Sequence, residues 1–403
     1  MAEFSALYGA LILFLAVLAS LYFIKDLKKR ISKAGIWTPG QEDPELSEEA
    51  YAKAAANVPP KRPGEKRIVW VMHSYVPNVL AGSEITAEDQ IAFLKKKGWT
   101  VYVLVNRWVV PEHKGVQIFP IKKDKLGEAP EGIRKLFQSA DLIAAQNYPI
   151  NDLFLAVDEY NKPVVIFLHT QNDNRSTLSF RMGSPTYVVY NVNFIKLEST
   201  NAHPSIVVHP KVDTEKFKFE KQDPKYVTLI NCNENKGGPL LPQIAKALPE
   251  IQFLGIKGSY AKQNVEEDKP VNLTYLDTQT DMVSIYKKTK VLIMPSKSET
   301  WGRTAVEAMA SGTPVIVSRS PGLLECVGKA ENSCDRNDLS CWIEKVETLM
   351  TNDKAYNEAS VLSKERIMEL DSEDEYERLD VFLLDIAKRH AEGAEGAEGA
   401  EAN

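Results

Sequence analysis

The sequence predicts an α/β protein with two facing Rossmann-like domains and an N-terminal transmembrane helix. Two successive series of short apolar segments alternate with helical ones, and an uncharged apolar run lies near the N-terminus. The chain has 403 residues, which is more than one hydrophobic core usually organises. Its 44% hydrophobic and 26% charged residues are ordinary for a globular protein, so most of the chain can form packed domains.

The alternating pattern divides the chain into successive regions. The first series indicates a doubly wound domain over residues 67–210, and its apolar segments are RIVWVMHSY, TVYVLVN, GVQIFPI, DLIAAQN and PVVIFLHT. The rhythm restarts over residues 211–365 with KYVTLINC, IQFLGIKG, VNLTYLD, VLIMPS and TPVIVS, so we expect a hinge near residues 207–217. Two such domains would form a ligand site at the carboxyl ends of their strands.

Two further segments follow the second domain. A helical segment over residues 366–390 has apolar side chains spaced for one buried face, namely Leu379, Phe382, Leu383 and Ile386. The last stretch, AEGAEGAEGAEAN at residues 391–403, is a low-complexity tail that cannot pack a core.

The apolar run at residues 4–24, FSALYGALILFLAVLASLYFI, has the length of a membrane span. As a helix rising about 1.5 Å per residue it would cover about 30 Å, the thickness of one hydrocarbon core. It has no basic residues before it and no A-x-A cleavage site, which favours a retained anchor over a signal peptide. Residues 1–35 are therefore predicted as anchor and basic flank, and the Pro- and Glu-rich residues 36–66 as a linker.

Charge around the apolar run predicts the orientation of the protein. Five basic residues follow it at once: Lys25, Lys28, Lys29, Arg30 and Lys33. Basic flanks stay cytoplasmic, so we expect a single-pass membrane protein with its catalytic part in the cytosol. The sequons at Asn174 and Asn272 would suit a lumenal orientation, but such triplets often arise by chance and have less weight.

Composition argues against two other classes of protein. The net charge of −6 is unlike that of a general nucleic-acid binder, so no nucleic-acid partner is expected. The four cysteines form no C-x-x-C motif, which argues against a zinc ribbon or a redox dithiol. In a chain of this length they are predicted to be free thiols in a reducing compartment.

One stretch, SKSETWGRTAVEAMASGTPVIVS at residues 296–318, carries most of the functional information. Glu299 lies in a loop after a strand, and Glu307 lies in the following helix. Carboxylates accept paired hydrogen bonds from sugar hydroxyls, whereas the backbone N–H groups at the helix start, from Gly302 to Ala305, suit a phosphate. A nucleotide sugar offers both kinds of group.

This stretch resembles the Glu-x7-Glu signature of retaining glycosyltransferases with the GT-B fold, particularly glycosyltransferase family 4, or group 1. Other segments resemble that family in the expected order: a glycine loop and helix in PNVLAGSEITAEDQIAFLKKKG, the strand end FLHT, the crossover HPKVDTEKF and the phosphate loop NENKGG. The resemblance covers roughly residues 67–389. It departs from the family at Ala81-Gly82, where two glycines are usual, and before Lys236, where an arginine is common.

The resemblance assigns roles to individual residues. It implies catalytic roles for Glu299 at the transferred sugar, His169 at the sugar or its phosphate, and Lys236 at the diphosphate leaving group. Donor binding would involve these groups together with the ribose-binding Glu307 and the loop and helix-start residues Gly82, Gly237, Gly302, Arg303 and Thr304. No Asp-x-Asp motif is present, so no metal site and no cofactor are expected.

The sequence therefore predicts a membrane-anchored retaining glycosyltransferase. Its donor would be a UDP- or GDP-linked sugar, and its acceptor a glycan, a lipid or a protein-linked group. Two alternatives stay open: a nucleotide-sugar epimerase, and a non-catalytic glycan- or nucleotide-binding protein of the same fold. A glycan phosphorylase is less favoured because no motif places a lysine for pyridoxal phosphate.

Overall fold

The N-terminal domain is organised by an eight-stranded sheet. A computed structural model describes residues 51, 53, 56–106, 110–122, 126–146, 153, 157–169, 184–200, 202–259, 261–329, 331–372 and 374–401. Within them the first sheet has the order β3-β4-β2-β1-β5-β6-β7-β8, and all pairs are parallel except β3 with β4. Its strands are β1 (Lys66–Met72), β2 (Trp99–Val105), β3 (Glu112–His113), β4 (Val116–Pro120), β5 (Leu142–Gln146), β6 (Val164–Leu168), β7 (Thr186–Tyr190) and β8 (Ser205–Val207).

Helices cover both faces of this sheet, which explains why its strands are apolar on both sides. Val69 and Val71 of β1 belong to one buried cluster, while Ile68 and Trp70 belong to the cluster on the opposite face. The helices that follow strands in this domain are α1 (Gly82–Lys96), α2 (Glu131–Ser139) and α3 (Asn193–Glu198).

The C-terminal domain repeats the architecture with a parallel sheet of order β11-β10-β9-β12-β13-β14. Its strands are β9 (Tyr226–Ile230), β10 (Gln252–Ile256), β11 (Leu273–Leu276), β12 (Thr289–Met294), β13 (Val315–Ser318) and β14 (Ser333–Cys334). Its helices are α4 (Leu240–Ala247), α5 (Met282–Lys288), α6 (Arg303–Ala310), α7 (Pro321–Val327), α8 (Leu339–Thr351) and α9 (Asp353–Ser372).

The last helix, α10 (Glu375–Glu401), returns to the N-terminal domain. Leu379, Leu383 and Ile386 are buried against its core, as the apolar spacing predicts. The Trp99 indole Nε1 also donates to Asp380 Oδ1 at 2.7 Å, so a hydrogen bond joins α10 to β2. The helix continues through the alanine- and glutamate-rich tail as far as Glu401.

The structure corrects the prediction of four free thiols. Cys334 at the end of β14 and Cys341 at the start of α8 form a disulfide, because the intervening turn brings the two residues together. Cys232 and Cys326 are buried free cysteines, and burial raises the pKa of the Cys232 thiol to about 12.

The sequon at Asn272 is part of the packed interior. Asn272 is buried, and its Nδ2 donates to the carbonyl oxygens of Ala245, Leu248 and Ile251 at 2.8–2.9 Å. This side chain therefore links the end of α4 to the start of β11. Because its amide is buried, it is not accessible for glycosylation. The other sequon, at Asn174, lies outside the described residues.

In the described part of the chain, no helix is both long and apolar enough to cross a bilayer. The predicted span at residues 4–24 and its basic flank lie outside that part.

Candidate active site

The structure brings Lys236 and Glu299 into direct contact. Lys236 follows β9 and Glu299 follows β12, and these two strands are neighbours in the C-terminal sheet. Because parallel strands end at the same edge of a sheet, both loops reach the edge where open α/β sheets bind ligands. The Lys236 ammonium forms an ion pair with Glu299 Oε2, and both side chains are largely buried.

Close packing between the loop of Lys236 and the loop of Glu299 holds these two side chains in contact. Gly237 has a φ of +90°, and a Cβ there would lie 2.4 Å from Cγ of Pro295, so only glycine fits between the loop and the end of β12. The Lys297 N–H donates to the carbonyl oxygen of Asn235 at 2.7 Å. The Asn235 Nδ2 donates to the carbonyl oxygen of Ser298 at 3.2 Å, which adds a second bond between the loops.

Arg336, in the loop that follows β14, also links the loop of Lys236 to the loop of Glu299. Its Nε donates to the carbonyl oxygen of Pro295 at 3.1 Å, and its Nη2 donates to that of Glu234 at 2.8 Å. Arg336 lies in the turn that the Cys334–Cys341 disulfide closes. This role could not be predicted from the sequence, because an arginine in a loop has no local pattern that points to a distant carbonyl.

The helix start and the second glutamate lie on α6. Gly302, with a φ of +103°, precedes the helix, and Thr304 lies in its first turn. Glu307 is one turn further along and accepts a hydrogen bond from Tyr286 Oη at 2.8 Å. Burial raises the pKa of Glu307, although Arg303 and this hydrogen bond oppose the rise. Tyr286, on α5, was not among the predicted site residues, and it orients the carboxylate proposed to hold the ribose.

Arg303 joins the two domains. Its Nη1 donates to Asp89 Oδ2 of α1 at 3.1 Å and to the carbonyl oxygen of Lys211 at 3.0 Å. Its side chain also lies beside Gly82, where a Cβ would be 3.9 Å from Cδ of Arg303. The structure therefore places Gly82 and helix α6 on opposite walls of one cleft.

The first turn of α1 already contains a carboxylate. Glu84 is buried and accepts hydrogen bonds from Ser74 Oγ at 2.9 Å and from Ser83 Oγ at 2.7 Å. A phosphate at the same helix start would lie close to this acid, which opposes its binding. The predicted phosphate contact of Gly82 remains a prediction.

His169 follows β6 in the N-terminal domain. It is buried, and burial lowers the pKa of its imidazole to about 4, so the ring is neutral near pH 7. Its Nε2 makes no hydrogen bond in the described part of the chain. A buried ring nitrogen at the carboxyl end of a strand can exchange a hydrogen bond with a substrate group in the cleft.

A second histidine, which the sequence analysis did not single out, ties the crossover together. His209 Nδ1 bonds Glu375 Oε1 of α10 at 2.6 Å, and its Nε2 bonds Glu325 Oε1 of α7 at 2.8 Å. Burial opposes protonation of this imidazole, but the two carboxylates outweigh it and raise its pKa to about 9. The ring also stacks on Trp301 with centroids 4.7 Å apart, next to the Glu299 loop.

Glu325 extends this cluster into the N-terminal domain. Its carboxylate accepts hydrogen bonds from the backbone N–H groups of Asn193 and Phe194 at 2.7 and 3.1 Å, at the start of α3. The histidine, its two carboxylates and the start of α3 thus connect both domains with the last helix.

A pocket of about 320 Å³ lies beside Glu299 in the cleft. Residues that follow β12, β13 and β14 form most of its wall, and Phe194 of the N-terminal domain completes it. Among the described residues, no group of three or more His, Cys, Asp or Glu side chains could hold a metal ion.

Two parallel α/β domains facing a common cleft define the GT-B class of fold, and similar solved structures support this assignment. A glycosyltransferase from Rickettsia africae matches with a TM-score of 0.62 at 13% identity, covering 81% of this chain and 99% of that chain. Anabaena Alr3699/HepE, solved in complex with UDP-glucose, matches with a TM-score of 0.60 at 16% identity, covering 82% and 99%. At such identities the likeness establishes the fold, and the predicted two-domain architecture is confirmed.

Residues 213–366 match the family described as Glycosyl transferases group 1, which confirms the resemblance predicted from the motifs. The D-inositol 3-phosphate glycosyltransferase of Corynebacterium efficiens is 26% identical over 195 residues, covering 47% of this chain and 41% of the relative. Its counterpart from Mycobacterium sp. (strain JLS) is 29% identical over 183 residues, covering 38% and 42%. The chain thus spans about two fifths of the length of these curated relatives.

Proposed function

We propose that this protein is a retaining glycosyltransferase that moves a sugar from a nucleotide diphosphate donor to a glycan, lipid or protein-linked acceptor. The observation that carries the proposal is the contact between Lys236 and Glu299 at the carboxyl ends of neighbouring strands. The contact supports the proposal because a cation suits a diphosphate and the neighbouring carboxylate suits sugar hydroxyls. The family match over residues 213–366 covers both groups.

The donor would lie along the edge of the C-terminal sheet. Its diphosphate would exchange contacts with Lys236 and with the backbone N–H groups at the start of α6, because both are positive. Its ribose would bind Glu307, which Tyr286 holds in place. A uridine donor is supported by analogy, since Alr3699/HepE was solved with UDP-glucose, and a guanosine donor is the alternative to be tested.

The chemistry follows from where charge develops. As the bond to the diphosphate breaks, negative charge grows on the leaving group and positive charge grows on the sugar ring. Lys236 and the helix start would stabilise the first, so the proposed mechanism needs no metal ion, and Glu299 would orient the sugar and offset the second. We propose front-face transfer, in which the departing diphosphate accepts the acceptor's proton and the anomeric configuration is retained.

Nucleotide binding provides the first test. UDP or GDP should raise the melting temperature of the full chain by mass action, and Lys236→Ala should abolish most of that rise. The loss of one charge-assisted contact is expected to weaken binding by about 2 kcal/mol. Lys246→Ala removes the same charge from an exposed position near the end of α4 and serves as the control. Equal melting shifts in both variants would remove Lys236 from the site.

Turnover separates the proposed activity from the alternatives. Incubation with UDP-glucose and GDP-mannose should release nucleotide through sugar transfer or slow hydrolysis, and NMR of the product should show the donor's anomeric configuration. An isomerised nucleotide sugar would indicate an epimerase instead. Binding without any turnover would indicate a non-catalytic protein of the same fold.

We also propose that the protein is anchored in a membrane through residues 4–24, with its catalytic part in the cytosol. The basic flank supports this orientation. The disulfide between Cys334 and Cys341 favours the opposite orientation, because disulfides persist mainly in oxidising compartments. Protease added to sealed vesicles with the cytosolic face outward should digest both α/β domains. Full protection would place them in a lumen.

A further inference from the structure

We propose that the pocket beside Glu299 is a subsite for an anionic group, a carboxylate or a phosphate, carried by the sugar end of the bound substrates. This inference rests on the proposed function, because it uses Glu299 as the group that contacts the transferred sugar. It goes further by naming the chemical class of substrate that this site selects.

Three neighbouring strands each deliver a cation to the pocket. Lys297 follows β12, Arg319 follows β13 and Arg336 follows β14, and these strands are adjacent in the sheet. Because parallel strands end at the same edge, the three side chains line one cavity although up to 39 positions separate them in the chain. The chain as a whole is acidic, with a net charge of −6, so this concentration of positive charge is a local feature.

Two of these cations make no direct contact with an acid in the described part of the protein, although the Asp338 carboxylate is near enough to Arg319 to interact with its charge. The Lys297 ammonium and the Arg319 guanidinium make no hydrogen bond or ion pair with any residue that the structure describes, whereas Arg336 lies 3.7 Å from Glu234 Oε1 and braces the loops. Only one of the two acids on the wall has a cationic partner among the described residues. Glu299 pairs with Lys236, and Asp335 Oδ1 accepts the Asn337 N–H at 2.9 Å.

Three of the four serines that line the pocket use their hydroxyl protons within the protein. Ser318 Oγ donates to the carbonyl oxygen of Ser296 at 2.6 Å, and Ser320 Oγ donates to that of Glu299 at 3.3 Å. These hydroxyl protons hold the loops together. A ligand group in the cavity would meet Lys297 and Arg319 together with Ser298, and this set of cations and a hydroxyl donor favours an anion over a neutral hydroxyl.

The position of the pocket assigns the anion to the sugar end of the reaction. The nucleotide would lie along α6, and Arg303, Thr304 and Glu307 of that helix are not among the pocket's lining residues. Glu299 forms one wall, and Phe194 of the opposite domain forms another. The anionic group therefore belongs either to the transferred sugar, as a uronic acid, or to an acceptor that bears a phosphate or a carboxylate.

Paired probes that differ only in charge test the subsite in the full chain. The donor arm compares binding of UDP-glucuronic acid with UDP-glucose, or of GDP-mannuronic acid with GDP-mannose if GDP is the nucleotide bound. The acceptor arm titrates glucose 6-phosphate, glucuronate and glucose at saturating UDP or GDP. In one of the two arms the anionic probe should bind at least about tenfold more tightly than the neutral one, and that arm identifies the source of the anion.

The double variant Lys297→Ala/Arg319→Ala should abolish this preference while leaving the affinity for UDP or GDP unchanged. Lys354→Ala/Arg389→Ala removes two positive charges from exposed helix surfaces and should retain the preference. Equal binding of anionic and neutral probes in both arms, or a preference that survives in the first double variant, would overturn the subsite while the proposed function stands. Absence of any UDP or GDP binding would overturn both.

Discussion

The His209 cluster predicts a specific dependence of stability on pH. The imidazole has a pKa of about 9 in the folded protein, against an ordinary value of 6.5. Because the folded pKa is the higher one, protonation stabilises the fold fully below about pH 6.5, and this contribution is lost as the pH rises through about 9. The difference corresponds to about 3 kcal/mol at low pH and about 2 kcal/mol near pH 7.5.

The variant His209→Gln removes the titrating group and retains a hydrogen-bonding side chain of similar size. The free energy of unfolding in urea, measured from about pH 6 to about pH 9.5, should fall for the wild type by about 3 kcal/mol more than for the variant. Glu375→Gln removes one of the two carboxylates. In this variant, the loss of stability should occur at a lower pH than in the wild type. His113→Gln removes an imidazole that lies within hydrogen-bond distance of Glu88 at β3, and it provides the baseline.

Parallel stability curves for wild type and His209→Gln would refute this reasoning. They would mean that His209 is neutral in the folded protein and that the two carboxylates do not hold a charged ring. A related readout is the Trp301 fluorescence, because the stacked imidazole is expected to quench this indole less once it loses its proton. The change should occur near pH 9 in the wild type and be absent from the variant.

Three further predictions concern the C-terminal domain. Glu299→Gln keeps the size of the side chain but removes its charge, so donor kcat should fall by about a hundredfold or more with a smaller change in KM; an unchanged kcat would exclude the proposed role. Gly237→Ala should weaken UDP or GDP binding and lower the melting temperature, since its Cβ would lie 2.4 Å from Pro295; normal binding would show that the loop can move aside. Asn272→Ala should lower the free energy of unfolding by about 2 kcal/mol, whereas Thr274→Ala, which also removes the sequon, should change it by less than about 0.5 kcal/mol. Equal effects of the last two changes would contradict the structural role of the amide.

The sequence determined most of the architecture because strand and helix patterns are local. Every apolar segment quoted for the two domains overlaps a strand of the structure, and the apolar face of the last helix is buried as its spacing predicts. The sequence analysis did not identify β7, β8 or the two-residue strands. Those segments are short, and β8 and β14 gain their strand geometry from a neighbour in the sheet rather than from a pattern of their own.

For the candidate site, too, the local motifs could be predicted from the sequence, but the contacts between distant residues could not. The Glu-x7-Glu block and the lysine loop could be read from the chain because each occupies one strand, loop and helix in succession. The contact between Lys236 and Glu299 joins residues 63 positions apart, and it depends on the adjacency of β9 and β12. No local pattern encodes that adjacency.

The packing of distant elements determines which charged groups are neutralised and which remain available to a ligand. Arg303 was expected near the donor, and the fold also joins it to Asp89, 214 positions away. In the sequence, His209 is one residue of the crossover motif HPKVDTEKF. In the fold, its imidazole forms hydrogen bonds with Glu325 and Glu375. Cys334 and Cys341 meet because a turn returns the chain to β14. In each case the partner is chosen by the packing of whole elements, whereas sequence periodicity determines only which face of an element is buried.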